Sequence, residues 1–453
     1  MSPPTVVVIG GGLAGSEAAW QAAERGLEVE LLEMRPGVKT GAHATEWLGE
    51  LVCSNSLGSA LPDRASGILI SELERMGSLL LRVARQAALP AGGALAVDRD
   101  RFARAVTSAV TSHPRIHLRR DEARAIPDGW VVLASGPLTS PALSAELARR
   151  LGEEHLYFFD ALAPIVEAES VDTAIAFRAS RYGRGREAEG DYLNCPMDRA
   201  EYEAFVEALR TAERLELRSF EAPIRDGVRA GLDRYFEGCL PVEVIAERGR
   251  DALAFGPLRP VGLRDPRTRR RPHAVVQLRQ DNAAGSLYNL VGFQTNLSVE
   301  AQRRVLRMIP GLSRARFARF GQMHRNTFVN APRLLRPTLQ TRARSDLLLA
   351  GQITGVEGYL GNIGTGLLAG VNVARLATGR EPLTLPPATM LGALCRYVTE
   401  AEARTFQPMK ANLGILEPLA SPPRGRPDRA RAYAARASQE LERTLDTAHE
   451  QCA

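Results

Sequence analysis

The strongest constraint on this chain lies in its first 33 residues. Residues 5–9 are an apolar run that reads as a buried strand, and Gly10-Gly11-Gly12-Leu13-Ala14-Gly15 follows at once. An alanine-rich helical pattern then reaches about residue 25, and a second strand-like run at 28–32 ends at Glu33. Strand, glycines, helix, strand and acid in that order predict a βαβ unit carrying G-x-G-x-x-G at Gly10, Gly12 and Gly15. Gly10 permits the tight turn, Gly12 lets a pyrophosphate approach the backbone, and Gly15 lets the helix lie close to the sheet. The helix start at Leu13 and Ala14 turns unpaired N–H groups toward the phosphates. Glu33 falls where a carboxylate can accept the ribose hydroxyls. An adenine dinucleotide is the expected ligand, with S-adenosylmethionine as competitor because its fold can use a similar turn and acid.

A second motif favours FAD. Residues 346–349 read as another buried strand, leading into Ala350-Gly351-Gln352-Ile353-Thr354-Gly355-Val356-Glu357-Gly358-Tyr359. Glycines follow at 361, 364, 366 and 370, and a helix runs to about 377. A strand, a glycine turn and a helix this late suit a flavoprotein whose FAD is closed over by returning C-terminal sequence. Gly351, Gln352, Gly355 and Gly358 join Gly10, Gly11, Gly12, Leu13, Ala14, Gly15 and Glu33 as cofactor-binding candidates. Residues 130–136 form a further strand ending in small residues.

These motifs place the two halves of one α/β, Rossmann-like FAD-binding domain at opposite ends of 453 residues. The expected organisation is a first part at 1–156, an inserted mixed α/β substrate or tRNA domain at 157–325, and a second part at 326–453 ending in a helix. Within the insert, strands are expected around 161–166 and 274–278, and an amphipathic helix at about 199–217. The stretch from 421 starts with Pro-Pro-Arg-Gly-Arg-Pro and becomes an Ala/Arg/Glu helix, expected as a solvated surface element.

The five cysteines (Cys53, Cys195, Cys239, Cys395 and Cys452) form no CxxC pair and fit neither a disulfide framework nor zinc; no metal is expected. No secretory signal and no run long enough to span a bilayer is visible, so a reducing, cytoplasmic setting without membrane attachment is expected. Cys195, Cys395 and Cys452 read as small core residues. Cys53, among polar neighbours, and Cys239, in a glycine-preceded turn, are the reactive candidates. The net charge of +6 conceals two basic stretches: 257–273 holds six arginines and one acid, and 301–345 holds eleven arginines and no acid. That asymmetry is the electrostatic footprint of a nucleic-acid face, unless these arginines pair with carboxylates elsewhere or hold a pyrophosphate.

Along nearly its whole length the chain resembles the folate- and FAD-dependent tRNA (uracil-5-)-methyltransferases, the TrmFO family. The matching pieces include GGGLAGSEAAWQAAERG, ELVCSNSL, PAGGALAVDRDRF, DYLNCPM, YFEGCLPVE, FGPLRPVGLRDPRT, VVQLRQDN, LYNLVGFQTNL, MHRNTFVNAP and AGQITGVEGY. Broader relatives are the longer MnmG/GidA flavoproteins of tRNA wobble uridines, which work with a GTPase partner; no protein partner is expected here. The resemblance implies formation of 5-methyluridine at position 54 of the tRNA T-loop. Its carbon comes from 5,10-methylenetetrahydrofolate, and its electrons from NADH or NADPH through FAD. It implies Cys239 as the thiolate that adds to uracil C6, Cys53 as a supporting acid/base or alternative nucleophile, and Tyr359 as a group near the flavin. Arg279, Gln294, His324, Arg325 and Asn326 are candidate folate or tRNA contacts. Two other readings remain: an FAD/NAD(P)H oxidoreductase acting on a small molecule, and a non-catalytic FAD-bearing tRNA-binding protein. After GVEGY the family commonly carries an acid and small residues, whereas this chain has Leu360-Gly361-Asn362-Ile363-Gly364-Thr365-Gly366. The extra glycines are expected to loosen the helix start.

Overall fold

The computed structural model describes all residues except 1–2, 153–155, 186, 188, 216–239 and 451–453, and describes backbone alone at 156–161, 323–325 and 449–450. The first motif folds as its pattern dictates: strand β1 (Thr5–Ile9), helix α1 (Leu13–Glu24) and strand β2 (Glu28–Leu32). β1 and β2 lie at the centre of a parallel sheet. Its order is Leu347–Leu349, Trp130–Leu133, β1, β2, Ile116–Arg119. The late strand 347–349 therefore joins the same sheet as β1, although more than 300 residues separate them in sequence. β-branched and leucine side chains dominate these strands, as expected for a sheet covered on both faces. Val6, Val8, Val29, Leu31, Val132 and Leu348 are fully buried.

A second sheet has the order Phe177–Ala179, β3 (Tyr192–Met197), β4 (Ala274–Gln280), β5 (Leu287–Leu290), Ile165–Glu167, Phe317–Arg319. β3, β4 and β5 are antiparallel neighbours, with Tyr192 opposite Arg279 and Arg279 opposite Asn289. Alternation gives the sheet two unlike faces. Ala274, Val276 and Leu278 enter an apolar core with Phe205, Leu209 and Val305. Gln277 and Arg279 project from the other face and are nevertheless buried.

Several expected elements have different bounds. The 161–166 strand is two strands, Leu156–Ala161 and Ile165–Glu167, because Pro164 offers no N–H to continue a ladder. The 199–217 helix stops at Thr211. Asp198 and Glu201 close its start in a capping box. Beyond its end, Ala212 turns extended and Arg214 bridges Leu297. The C-terminal helix, Arg426–Glu450, is not solvated all round: Ala437 and Leu441 are fully buried, and Arg75 pairs with Glu442.

The glycine-rich stretch after Tyr359 does not loosen its helix. Helix α2 (Tyr359–Ala377) is continuous through Gly361, Gly364, Gly366 and Gly370. A Cβ at Gly366 would collide with the Ala14 backbone, and one at Gly370 with the Ala18 carbonyl of α1. The glycines let two helices touch backbone to backbone, so their helical cost is offset by packing against α1. Among the described residues no helix is long and apolar enough to cross a membrane.

Candidate functional site: a dinucleotide cleft closed by a cysteine loop

A cleft opens at the C-terminal ends of β1, β2 and Trp130–Leu133. Parallel α/β sheets bind ligands there because loops and helix starts converge at that edge. Gly10, Gly12, Leu13, Ala14, Glu33, Gly351, Gln352 and Tyr359 line it, together with Ala134, Ser135 and Gly136. Gly10 has φ +102°, a backbone that favours glycine, and a Cβ there would strike the Ala134 carbonyl. Gly15 packs directly under the Gly10 carbonyl. Gly12 meets nothing within 4 Å, which leaves the approach to the backbone open. α1 starts at Leu13, with Gly12 at the N-cap position and no side-chain cap, so its first N–H groups face the cleft. These features fit a pyrophosphate.

Gly11 is not among the lining residues; its N–H donates to Glu33 Oε2 at 2.8 Å. Glu33 Oε1 accepts from Arg35 Nε at 2.8 Å, and Arg35 continues to Glu50 at 3.1 Å. Burial alone would raise the Glu33 carboxyl, but Arg35 and the Gly11 amide hold it below the usual carboxylate range. Glu50 in turn accepts from Ala44 N, Thr45 N and Thr45 Oγ1, which fixes the 35–50 loop along the cleft. His43 in that loop is pulled down to about 4 by burial and by the Arg35 charge, so it is neutral at pH 7. Gly355 (φ +82°) and Gly358 (φ +82°) lie outside the lining. Gly355 packs against Phe406, and Gly358 precedes α2.

At the far end, Tyr359 joins the cleft to the Cys53 loop. Its hydroxyl oxygen accepts from the Cys53 N–H at 2.8 Å and the Ser54 N–H at 3.0 Å. Burial and the adjacent Cys53 push the phenol above its ordinary range, so it stays protonated and keeps one O–H to donate. Asn362, one turn into α2, lines the same end and is buried, with Oδ1 unpartnered among the described residues. That atom and the start of α2 suit the polar edge of a flavin ring.

Arg279 reaches this loop from β4: Nε donates to Asn55 Oδ1 at 2.8 Å and Nη2 to Ser54 Oγ at 2.7 Å. Sequence reasoning missed two further arginines. Arg99 Nη1 donates to Leu51 O at 3.1 Å and Arg319 Nη1 to Val52 O at 3.3 Å, while Arg99 pairs with Asp281. Arg99 lies inside the quoted PAGGALAVDRDRF piece, but nothing local marks which of its arginines turns inward. Three guanidinium groups against one carboxylate leave a positive surplus around Cys53.

Cys239 lies outside the described residues, as does Cys452. Cys195 and Cys395 are buried thiols pushed up to about 12, in keeping with core roles. Gln294 is half-buried, and its carbonyl accepts from Val242 N. Only the backbone of His324 and Arg325 is described; Asn326 is fully buried, with both amide atoms unpartnered among the described residues. The basic stretch 301–345 does not form one free face. Arg316 pairs with Glu167 and Arg344 with Asp346, while Arg307 and Arg319 bond carbonyl oxygens. Phe328 is core. Of the arginines in 257–273 only Arg267 pairs with a carboxylate among the described residues, Asp265, while His273 lies 3.8 Å from Asp251.

The fold and cleft define a dinucleotide-binding α/β protein with an antiparallel second sheet, and two crystal forms of Aquifex aeolicus GidA share that fold. They superpose with TM-scores of 0.68 and 0.66 at 17% and 18% identity, covering 98% of this chain and 74% and 76% of those chains. The family profile "Glucose inhibited division protein A" matches residues 5–381. Relatives named methylenetetrahydrofolate--tRNA-(uracil-5-)-methyltransferase TrmFO are 57% identical in Moorella thermoacetica, covering 95% of this chain and 96% of the relative. In Symbiobacterium thermophilum the identity is 56%, with 96% of each chain covered. The chain belongs to the TrmFO family within the broader GidA group.

Proposed function

We propose that this protein methylates C5 of uridine 54 in the tRNA T-loop, with carbon from 5,10-methylenetetrahydrofolate and electrons from NADH or NADPH passed through FAD. Family membership supports the coarser activity, folate-dependent methylation of a tRNA uracil at C5. The observation that carries the finer reading is the Tyr359 hydroxyl, which ties the Cys53 loop to the end of a dinucleotide cleft. A tRNA substrate makes the setting cytoplasmic. We assign 1–156 and 326–453 to cofactor binding and 157–325 to substrate.

FAD, when bound, supplies the two-electron reduction that turns a transferred one-carbon unit into a methyl group. Gly10, Gly12 and the start of α1 would hold its pyrophosphate, Glu33 its ribose, and Gly351, Gln352 and Asn362 its ring end. Cys239 adds as thiolate to C6, pushing the C5–C6 electron pair toward O4 and making C5 a nucleophile. After C5 has bonded to the methylene carbon and lost its proton, the carbon's bond to the tetrahydrofolate nitrogen breaks to leave an exocyclic methylene, and two-electron reduction of that methylene with expulsion of the Cys239 thiolate gives the methyl group and restores the ring double bond. Cys53 assists as acid/base near the flavin. Tyr359 holds that loop and donates its remaining proton toward the cleft, while Arg99, Arg279 and Arg319 stabilise negative charge developing beside it.

Cys239→Ala tests the nucleophile. The variant is expected to keep the yellow flavin spectrum, lose methylation and form no covalent adduct with tRNA containing 5-fluorouridine. Normal turnover by the variant excludes Cys239.

A further inference from the structure

The basic stretch 257–273 acquires a second component in the fold that its sequence does not reveal. Arg181 reaches across to it: Nη1 donates to the carbonyls of Arg259 and Val261, and Nε donates to Gln277 Oε1 at 2.7 Å. Tyr182 packs on Gly262, and its N–H donates to the Gly262 carbonyl. The turn 181–184 and the loop 255–271 are thus one surface.

Two features of this surface lack a structural purpose. Tyr182 is 62% exposed and Phe255 84% exposed, although large aromatic side chains gain most from burial. Among the described residues three non-glycine positions have positive φ, and two of them, Tyr182 (φ 60°) and Arg269 (φ 57°), are here. A bulky residue in left-handed backbone persists only where its surroundings enforce it, and such residues cluster at binding sites. The Arg181 bonds supply that enforcement. The Arg184 guanidinium lies 5.8 Å from the Tyr182 ring, and the 255–271 stretch itself carries Arg259, Arg264, Arg269, Arg270 and Arg271. These six are exposed, and among the described residues none of them ion-pairs with a carboxylate.

The surface also has a fixed relation to the Cys53 loop. Gln277, which Arg181 bonds, and Arg279, which bonds Ser54 and Asn55, lie two residues apart on the same face of β4. Two residues of strand are about 7 Å.

We infer that 181–184 and 255–271 form an RNA-docking surface on which Tyr182 and Phe255 stack against bases while the arginines hold the phosphodiester backbone. Exposed rings interleaved with unpaired arginines match a single-stranded or loop RNA, which offers π-faces and phosphates together. An acidic protein would use the charges and leave the rings idle. The inference rests on the tRNA reading above and names where the substrate lies.

The test measures unmodified tRNA affinity of the FAD-loaded enzyme across a potassium chloride series. Tyr182→Asn removes the ring and keeps a residue that tolerates left-handed backbone; it should weaken binding about ten-fold, the size of one stacked base, without changing the salt slope. Tyr182→Phe should bind as wild type. Phe255→Ala, at an exposed helix end, gives a second ring deletion with the same expected sign. Replacing Arg269, Arg270 and Arg271 together with Gln should lower the salt slope by about 2. Wild-type affinity in Tyr182→Asn and Phe255→Ala, or an unchanged slope in the triple variant, overturns the surface, as an acidic protein partner would require. Failure of the wild-type enzyme itself to bind tRNA overturns the parent reading and this surface with it.

Discussion

Glycines 12 and 366 occupy opposite situations, and substitution by alanine separates binding from folding. At Gly12 a Cβ meets nothing, and φ is −74°, so Gly12→Ala should keep its unfolding midpoint while losing FAD, because the new methyl occupies the pyrophosphate approach. Thermal unfolding with and without added FAD checks this: the midpoint without cofactor stays, and the shift on adding it shrinks. Tyr359→Phe removes the acceptor for two N–H groups, each costing about 1–3 kcal/mol if left buried and unpaired. The 51–54 loop should open more often, and alkylation of Cys53 should accelerate; an unchanged rate would deny Tyr359 its tethering role. At this scale the sequence was informative where spacing is local. Gly10, Gly12, Gly15 and Glu33 sit within one βαβ unit, so their roles follow from their separations. The bonds of Tyr359 to Cys53 and Ser54 span about 300 residues, and no local pattern encodes them. Arg99 and Arg319 were unreadable for the same reason, being two among 56 arginines.

Elements were legible when periodicity or a stop signal acted alone. β1, α1 and β2 have the expected bounds within a residue or two, whereas the expected 199–217 helix ended at Thr211 because the chain after it pairs with Leu297, a tertiary choice. The glycines of α2 misled for an instructive reason. In isolation each lowers helix stability, yet here Gly366 and Gly370 form the contact with α1, and Gly361 and Gly364 admit Val356, Leu391 and Leu394. Gly366→Ala should therefore destabilise the protein by about 1–3 kcal/mol through overpacking, the reverse of what helix propensity predicts. Denaturant unfolding measures the sign directly. The 35–50 loop carries a pH dependence. The folded His43 value, about 4, is below its ordinary 6.5, so the neutral ring is the form the fold favours. Its stabilising contribution is present above pH 6.5 and lost as pH falls toward 4. FAD release, read by flavin fluorescence, should rise between pH 7 and 5 in wild type, with a flatter profile in His43→Asn. Equal profiles would remove His43 from the cleft's pH response.

For the whole molecule, one parallel sheet assembled from both ends of the chain builds the cleft, and the polar face of a second sheet meets it at Cys53. Charge led to only part of this. Among the described residues, the arginines of 257–273 other than Arg267 pair with no carboxylate, whereas those of 301–345 are divided among ion pairs, carbonyls and the Cys53 loop; counting charges along the chain cannot distinguish an arginine that faces solvent from one that braces a loop. The fold class was readable because its glycine motifs are; the meeting of Arg279 with Ser54 and Asn55 was not, since it depends on how the sheets are placed. On this reading the cleft and the second sheet together transfer a folate carbon to a tRNA uracil. The most direct test supplies the FAD-loaded enzyme with unmodified tRNA, NADPH and 5,10-methylenetetrahydrofolate labelled in its methylene carbon, beside a parallel reaction with methyl-labelled S-adenosylmethionine. Label from folate, and none from S-adenosylmethionine, should appear in 5-methyluridine at T-loop position 54. Label taken from S-adenosylmethionine, or none from folate in any uridine, would mean that the cleft and second sheet do not perform this transfer.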